Sequence, residues 1–291
     1  MIRLFAADLD GTLLNEDSQL DKETIEAIRA FQEQGGTFMV ATGRNSWEVE
    51  QITDDFPDTV YNCVNGSLLC DSKGREIVSY ALDQETADVF ESFIRERGCA
   101  VLYHGEKSRH CNLSMEELRN TVVGYLVAQK NYLPERAQDF FRYMFEDGKT
   151  VYSSSLKNLA SERILKLEIF FIPENRYRDL IETCRHVFQG CNVTNGSFFN
   201  NIEITSPDSG KGKLIREYCR ISGIGEDETA VIGDGGNDLE MLSGFRNSYA
   251  MGNAPKEVKE AAAHVADDNR HHGAAKVIRE ICRRNREEAD A

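Results

Sequence analysis

Two carboxylates one residue apart follow the first apolar run of the chain. Asp8 and Asp10 come directly after Ile2–Ala7, a run of strand length, and Gly11 then allows a turn. In an open α/β sheet, the carboxyl ends of the strands line the ligand-binding crevice. Carboxylates this close repel each other unless a cation neutralises them, and oxygen ligands favour a hard divalent cation such as Mg²⁺. The same residues also fit an ordinary turn in which Asp10 and Thr12 accept hydrogen bonds from backbone amides, so this pair alone leaves both interpretations open.

Two further groups of residues could bind an anion. Thr42-Gly43-Arg44 follows the apolar run Thr37–Ala41. A hydroxyl and a glycine amide at a strand-to-helix turn form a small anion site, although a plain N-cap for the next helix explains the same residues. Lys211 begins a predicted helix after the turn Pro207–Gly210. Its ammonium could neutralise a phosphate and a neighbouring aspartate, but a solvated surface lysine is the alternative.

The fourth group is the most specific. The apolar run Ala230–Ile232 ends in Gly233-Asp234-Gly235-Gly236-Asn237-Asp238. The glycine pair lets the backbone approach a ligand closely. Asp234 and Asp238 would complete a site for a hard cation, and Asn237 could bond a phosphate oxygen or orient an acid. A glycine-rich turn has few structural reasons to carry these three side chains together.

An alternating pattern of strands and helices positions these groups. Short apolar strands separated by amphipathic helices predict a parallel sheet covered on both faces. The pattern predicts strands at Ile2–Ala7, Thr37–Ala41, Val60–Val64, Thr229–Gly233, Ser248–Met251 and His264–Ala266, and helices at Leu20–Gln34, Ser46–Ile52, Lys211–Ile221, Asp238–Leu242, Lys256–Ala263 and Ala274–Arg284. Asn65-Gly66 indicates a hairpin turn before Leu68–Cys70, and the charged tail 283–290 is expected to fray.

The pattern changes between residues 82 and 203. Helical stretches at Gln84–Arg97, Met115–Gln129 and Asn175–Phe188 alternate with strand-like runs at Cys99–His104, Ile164–Ile172 and Cys191–Thr194. This mixture predicts an α+β unit with its own sheet, inserted into the first domain. The predicted organisation is a core domain at 1–81 and 204–291 and an inserted domain at 82–203.

Composition limits the partners and the location. The 291 residues carry a net charge of −15, which disfavours nucleic acid and anionic membranes as partners. The 8 cysteines include no CxxC pair, so zinc-site and thioredoxin-like spacings are absent. Without a secretory signal, we expect reduced and mostly buried thiols. No stretch is long and apolar enough to cross a bilayer, and the first residues do not resemble a signal peptide. We therefore expect a cytoplasmic protein that is a monomer or a weak dimer.

Together the four groups resemble the motifs of the haloacid dehalogenase (HAD) superfamily, in its phosphatase branch. Asp8-Leu9-Asp10-Gly11-Thr12 matches the first motif, Thr42-Gly43-Arg44 the second, Lys211 the third and the loop 233–238 the fourth, in the family's order. Asp8 and Thr42 are too close for a domain between them, whereas the long stretch from Thr42 to Lys211 accommodates a large cap. With Asn65-Gly66 and Ala250-Met251-Gly252-Asn253-Ala254, this spacing is similar to the Cof-type branch, subfamily IIB.

The resemblance implies a fold and a mechanism. The expected fold is a doubly wound, Rossmann-like parallel-sheet core with an inserted α+β cap. In the implied reaction, Asp8 attacks phosphorus to form an aspartyl-phosphate, and Asp10 is the general acid and base. The implied metal site holds Mg²⁺ with Asp8, Asp10, Asp234 and Asp238. The implied phosphate ligands are Leu9, Thr42, Gly43, Arg44, Lys211 and Asn237. The cap would cover the site and recognise the leaving group.

The substrate stays open at this stage. Small phosphorylated metabolites are expected, with sugar phosphates first and pyridoxal phosphate and flavin mononucleotide as further candidates. A phosphomutase on the same scaffold and a catalytically idle metabolite sensor are the alternative functions. Arg109, Lys166 and Glu168 could contact a leaving group, but exposed charge at a strand edge is the interpretation we favour for each. His271-His272 is interpreted as a surface loop.

Overall fold

The computed structural model describes residues 1–15, 18–53, 56, 58–156, 162–196 and 200–290, which include every predicted site residue. It divides into two compact units. Unit 1 comprises Met1–Tyr80 and Asp208–Ala291, and unit 2 comprises Ala81–Pro207. Each unit has its own sheet and its own hydrophobic core. That unit 2 selects the substrate remains a prediction.

The secondary structure alternates between strands and helices. The strands are β1 (Leu4–Ala7), β2 (Thr37–Ala41), β3 (Thr59–Cys63), β4 (Leu68–Cys70), β5 (Glu76–Ser79), β6 (Val101–His104), β7 (Arg109–Cys111), β8 (Thr150–Val151), β9 (Lys166–Ile169), β10 (Asn192–Asn195), β11 (Ile202–Thr205), β12 (Thr229–Gly233), β13 (Asn247–Ala250) and β14 (His264–Val265). The helices are α1 (Lys22–Glu33), α2 (Ser46–Thr53), α3 (Gln84–Arg97), α4 (Met115–Lys130), α5 (Pro134–Phe145), α6 (Glu174–Val187), α7 (Lys211–Ser222), α8 (Leu239–Gly244), α9 (Lys256–Ala261) and α10 (Gly273–Ala289).

The sheet of unit 1 has β1 near its centre. Its strand order is β14-β13-β12-β1-β2-β3-β4-β5, and the strands from β14 to β3 are parallel. Helices cover both faces, which is why the central strands are apolar at nearly every position. Leu4 packs in a cluster with Leu214 of α7 and Met241 of α8. On the other face, the ring of Phe5 lies 6.1 Å from that of Phe31 in α1. The predicted doubly wound α/β core is confirmed.

The sheet of unit 2 is mixed. Its order is β10-β11-β9-β6-β7-β8, with β7 and β8 parallel and the other pairs antiparallel. Helices α3 and α6 supply apolar side chains to one core cluster, and α4 and α5 supply them to a second. This is an α+β unit, as predicted.

Several elements differ from the sequence prediction. The prediction missed α5, which begins at Pro134 and buries Ala137, Phe141 and Phe145 between charged residues. It also missed the short strands β5, β7 and β8. The tail that was expected to fray is helical, because α10 continues to Ala289 and Arg283 pairs with Glu280 and Glu287 on the same face. Among the described helices, none has the length and apolarity that a membrane crossing requires.

Candidate active site

The turn after β1 places Asp8 at the carboxyl end of the central strand. The Asp8 amide donates to the carbonyl of Ile232 at 2.9 Å, so the chain remains paired with β12 up to this residue. Gly11 then has a φ of +79°, and a Cβ added to it would lie 2.3 Å from Oδ2 of Asp234. Only glycine fits this turn, because it is left-handed and passes directly against the Asp234 carboxylate.

Lys211 joins two of the predicted acidic residues. It is the first residue of α7, its side chain is fully buried, and its Nζ lies 2.7 Å from Oδ1 of Asp8 and 2.6 Å from Oδ1 of Asp238. Burial alone would lower the pKa of Lys211, but Asp238 and Asp8 outweigh it and hold this pKa above its usual value. Lys211 is therefore charged, and the surface interpretation of this lysine is excluded.

Asp238 uses both carboxylate oxygens within the protein. Oδ1 accepts from Lys211, and Oδ2 accepts from the backbone amides of Asp234 and Gly235, each at 2.9 Å. A Cβ at Gly233 would lie 2.5 Å from the Asp238 carboxyl group, so the glycine makes room for it. Asp238 thus sets the shape of the loop that carries Asp234 and also holds Lys211.

Three acidic side chains converge in unit 1. Asp8, Asp234 and Asp238 each present a carboxylate oxygen within 4.8 Å of the others. Burial raises the pKa of Asp8 well above its usual value, although Lys211 acts against this. Burial and then Asp238 raise the pKa of Asp234 to about 7. One ammonium does not balance this charge, and the donors are all oxygen, so the residues fit a hard divalent cation.

Asp10 is paired with Arg44. Nη2 of Arg44 lies 2.6 Å from Oδ1 of Asp10, and Nε lies 2.8 Å from Oδ2, so the contact is bidentate. This geometry fixes the plane of the carboxyl group. Arg44 therefore contacts Asp10, the predicted general acid and base. The contact of Arg44 with phosphate stays a prediction.

The remaining predicted phosphate ligands follow the carboxyl ends of strands β1, β2 and β12. Thr42 is buried at the end of β2, and its Oγ1 accepts from the Arg44 amide at 3.2 Å. Leu9 and Gly43 belong to the turns after β1 and β2, and Asn237 lies in the loop after β12. In a parallel sheet, these loops meet at one edge.

Two asparagines that had no predicted role also contact residues of the site. Asn65 accepts from Nδ2 of Asn237 at 3.1 Å. Asn253 donates from Nδ2 to Oδ2 of Asp234 at 3.0 Å and to the carbonyl of Gly11 at 2.9 Å. Both lie in segments noted as similar to the Cof-type branch, which was the available signal.

Arg109, Lys166 and Glu168 of unit 2 are not exposed, contrary to our interpretation of them. Arg109 is buried and bonds Asp147 at 3.0 Å. Lys166 is buried with Nζ 2.7 Å from Glu203, and Oε2 of Glu168 lies 2.9 Å from Nε2 of His104. Their partners lie on neighbouring strands or on loops. The periodicity of a single strand does not indicate such partners.

An α/β fold of this kind with a buried acidic centre can be compared with known proteins to identify its class. The family model described as haloacid dehalogenase-like hydrolase matches residues 5–278. The chain belongs to this family. The match confirms the predicted superfamily and the prediction that the chain is a hydrolase.

Curated relatives match over nearly the whole chain. One is the 5-amino-6-(5-phospho-D-ribitylamino)uracil phosphatase YwtE of Bacillus subtilis, 26% identical over 96% of this chain and 98% of the relative. Another is the phosphatase YbjI of Escherichia coli, named for the same substrate, 24% identical over 96% of each chain. Among solved structures, a haloacid dehalogenase-like hydrolase from B. subtilis has a TM-score of 0.83 at 24% identity and covers 96% of this chain and 99% of its own.

Proposed function

We propose that this protein is a Mg²⁺-dependent phosphatase that hydrolyses small phosphorylated metabolites, sugar phosphates first, through an aspartyl-phosphate. The observation that carries the proposal is the position of Asp8. Its carboxylate is held by Lys211 beside Asp234 and Asp238, and Asp10 follows two residues later. This set would supply a nucleophile, a cation site and a proton donor at the carboxyl ends of the neighbouring strands β1 and β12.

The proposed reaction has two displacements at phosphorus. In the first, a carboxylate oxygen of Asp8 forms a bond to phosphorus as the bond to the ester oxygen breaks. Asp10 gives its proton to that oxygen, which leaves as an alcohol. In the second, Asp10 takes a proton from water, the water oxygen attacks phosphorus, and the bond to Asp8 breaks to release inorganic phosphate.

The other residues hold charge and orientation during these steps. Lys211 fixes the Asp8 carboxylate, and Arg44 fixes the Asp10 carboxyl group. Asp8 and Asp234 would hold a divalent cation, which would supply positive charge to offset that of the phosphate. We assign the contacts to the equatorial oxygens to Thr42, Asn237, Lys211 and the amides of Leu9 and Gly43.

The substrate class rests on the relatives. YwtE and YbjI are named for a substrate whose phosphate is carried by a ribityl chain. A leaving group rich in hydroxyls agrees with our expectation of sugar phosphates. Recognition of that group is assigned to unit 2.

The test is phosphate release from a panel of phosphorylated metabolites with purified protein and Mg²⁺. We expect hydrolysis of several sugar phosphates, loss of activity after chelation, and recovery when Mg²⁺ is added. Asp8→Asn should abolish turnover while the protein stays folded, and Asp179→Asn, at an exposed helical position, is the matched control. Turnover near wild type in Asp8→Asn contradicts the mechanism. Transfer of the phosphoryl group to a second sugar instead of water identifies a mutase.

A further inference from the structure

The loop between β3 and β4 has a strained backbone. Val64, Asn65 and Gly66 have φ values of +54°, +54° and +83°. Left-handed backbone is ordinary for glycine and tolerated by asparagine, but it is a clear outlier for a β-branched valine. Such conformations persist where the surrounding structure enforces them, and they concentrate at functional sites. The formation of a hairpin alone does not account for the positive φ of Val64.

Contacts with two of the motif turns hold this loop in place. The amide of Val64 donates to the Arg44 carbonyl at 2.9 Å, and that of Asn65 donates to the Thr42 carbonyl at 3.0 Å. A Cβ on Gly66 would lie 2.2 Å from the carbonyl of Gly210, the residue before Lys211. The loop thus packs against the turn after β2 and against the start of α7.

The Asn65 side chain extends the contact to the loop after β12. Asn65 is buried, and its Oδ1 accepts from Nδ2 of Asn237 at 3.1 Å. The same oxygen would lie 2.9 Å from a Cβ at Gly43. Asn65 therefore lies between a residue of the Thr42-Gly43-Arg44 turn and the side chain assigned to phosphate.

We infer that Asn65 is a positioning residue that fixes the carboxamide of Asn237 for phosphate binding. One N–H of the Asn237 amide donates to Asn65, which sets the plane of the amide and leaves the other N–H for a phosphate oxygen. A neutral acceptor suits this place, because a carboxylate would add negative charge beside the bound anion. The inference rests on the proposed function, since it needs phosphate at this site.

The test compares phosphate binding in single and double variants. Asn65→Gly removes the acceptor and relaxes the positive φ, whereas Asn65→Ala removes the acceptor and retains the strain. Binding of inorganic phosphate in the presence of Mg²⁺ is measured by calorimetry. Both variants should raise the Kd about threefold to tenfold, the range expected for one neutral hydrogen bond. Asn131→Gly is the matched control, because Asn131 has a φ of +56° at the exposed end of α4 in unit 2. It should leave the Kd unchanged.

A double-mutant cycle separates positioning from a structural role. In the Asn237→Ala background, Asn65→Gly should change the phosphate Kd less than twofold, because the amide that Asn65 orients is gone. Equal effects of Asn65→Gly in both backgrounds, or a wild-type Kd in both Asn65 variants, overturn the inference. If the wild-type protein neither binds phosphate nor hydrolyses its esters, the proposed function fails, and this is visible before any variant is made.

Discussion

Replacing Asp238 with asparagine tests how the acidic centre is held together. Asp238 is fully buried, and its two oxygens face donors only: the Lys211 ammonium on one side and two backbone amides on the other. Asparagine has one oxygen and one NH₂ group. Whichever way its amide turns, the NH₂ group meets another donor at hydrogen-bond distance. Asp238→Asn therefore preserves the shape of the side chain and breaks its hydrogen bonding on one side.

The expected loss of stability is large for an isosteric change. A hydrogen bond to a charged group contributes roughly 1.5–3 kcal/mol. Lys211 keeps Asp8 as a counter-ion at 2.7 Å, so the substitution leaves no buried ammonium without a partner. We therefore expect Asp238→Asn to lower the free energy of unfolding of unit 1 by about 1.5–3 kcal/mol.

Fluorescence of Trp47 provides the assay. Trp47 is the single tryptophan in the sequence and lies buried in α2 of unit 1, so its emission reports the unfolding of that unit. Urea titrations in the presence of a chelator compare the wild type with Asp238→Asn, and Asp179→Asn in unit 2 should stay within about 0.5 kcal/mol of the wild type. A loss below about 1 kcal/mol in Asp238→Asn would refute the donor arrangement described for the loop after β12.

Three further results are expected. Burial lowers the pKa of His104 to about 4 from an ordinary 6.5. At this residue the unfolded chain binds more protons between these values, so the contribution of His104 to the free energy of unfolding should fall by up to about 3 kcal/mol as the pH drops from 6.5 to 4. In urea titrations followed by circular dichroism, the wild type should lose stability relative to His104→Gln over this pH range. Gly11→Ala brings a Cβ to 2.3 Å from Asp234, so it should raise the Mg²⁺ concentration for half-maximal activity at least about tenfold with an unchanged circular dichroism spectrum; a wild-type Mg²⁺ requirement contradicts this. Arg44→Lys loses the bidentate contact with Asp10, so kcat should fall about tenfold while KM changes less than about threefold; an effect on KM alone would assign Arg44 to phosphate instead.

The residues at the strand ends could be predicted from the sequence, because a strand of continuous apolar residues followed by acids and glycines leaves few alternatives. Asp8 and Asp234 follow β1 and β12, which are neighbours in the sheet. Asn65 and Asn253 could not be given a role in the same way. Their bonds join residues 172 and 242 positions apart, to Asn237 and Gly11, and local spacing contains no information on such pairs.

Unit 2 was harder to predict for a different reason. Lys166 and Glu168 alternate with apolar residues, which is typical of a strand with one face in water. The structure pairs Lys166 with Glu203 of β11 and Glu168 with His104 of β6, so neighbouring strands satisfy the charges. Helix α5 was missed although Ala137, Phe141 and Phe145 recur at helical spacing after Pro134 at its start, so the sequence did contain the signal for this helix.

The division of unit 1 between two distant parts of the chain affects the order in which the protein folds during its synthesis. Strand β1 pairs with β2 on one side and with β12 on the other, and unit 2 lies between β2 and β12 in the chain. Unit 2 is continuous and can complete its sheet during translation, while β1 waits with one unpaired edge. Asp8 is made early, but Lys211 and Asp234 arrive only with the last part of the chain. The acidic centre is therefore among the last features to assemble, and a nascent chain without that part lacks two of its three carboxylates.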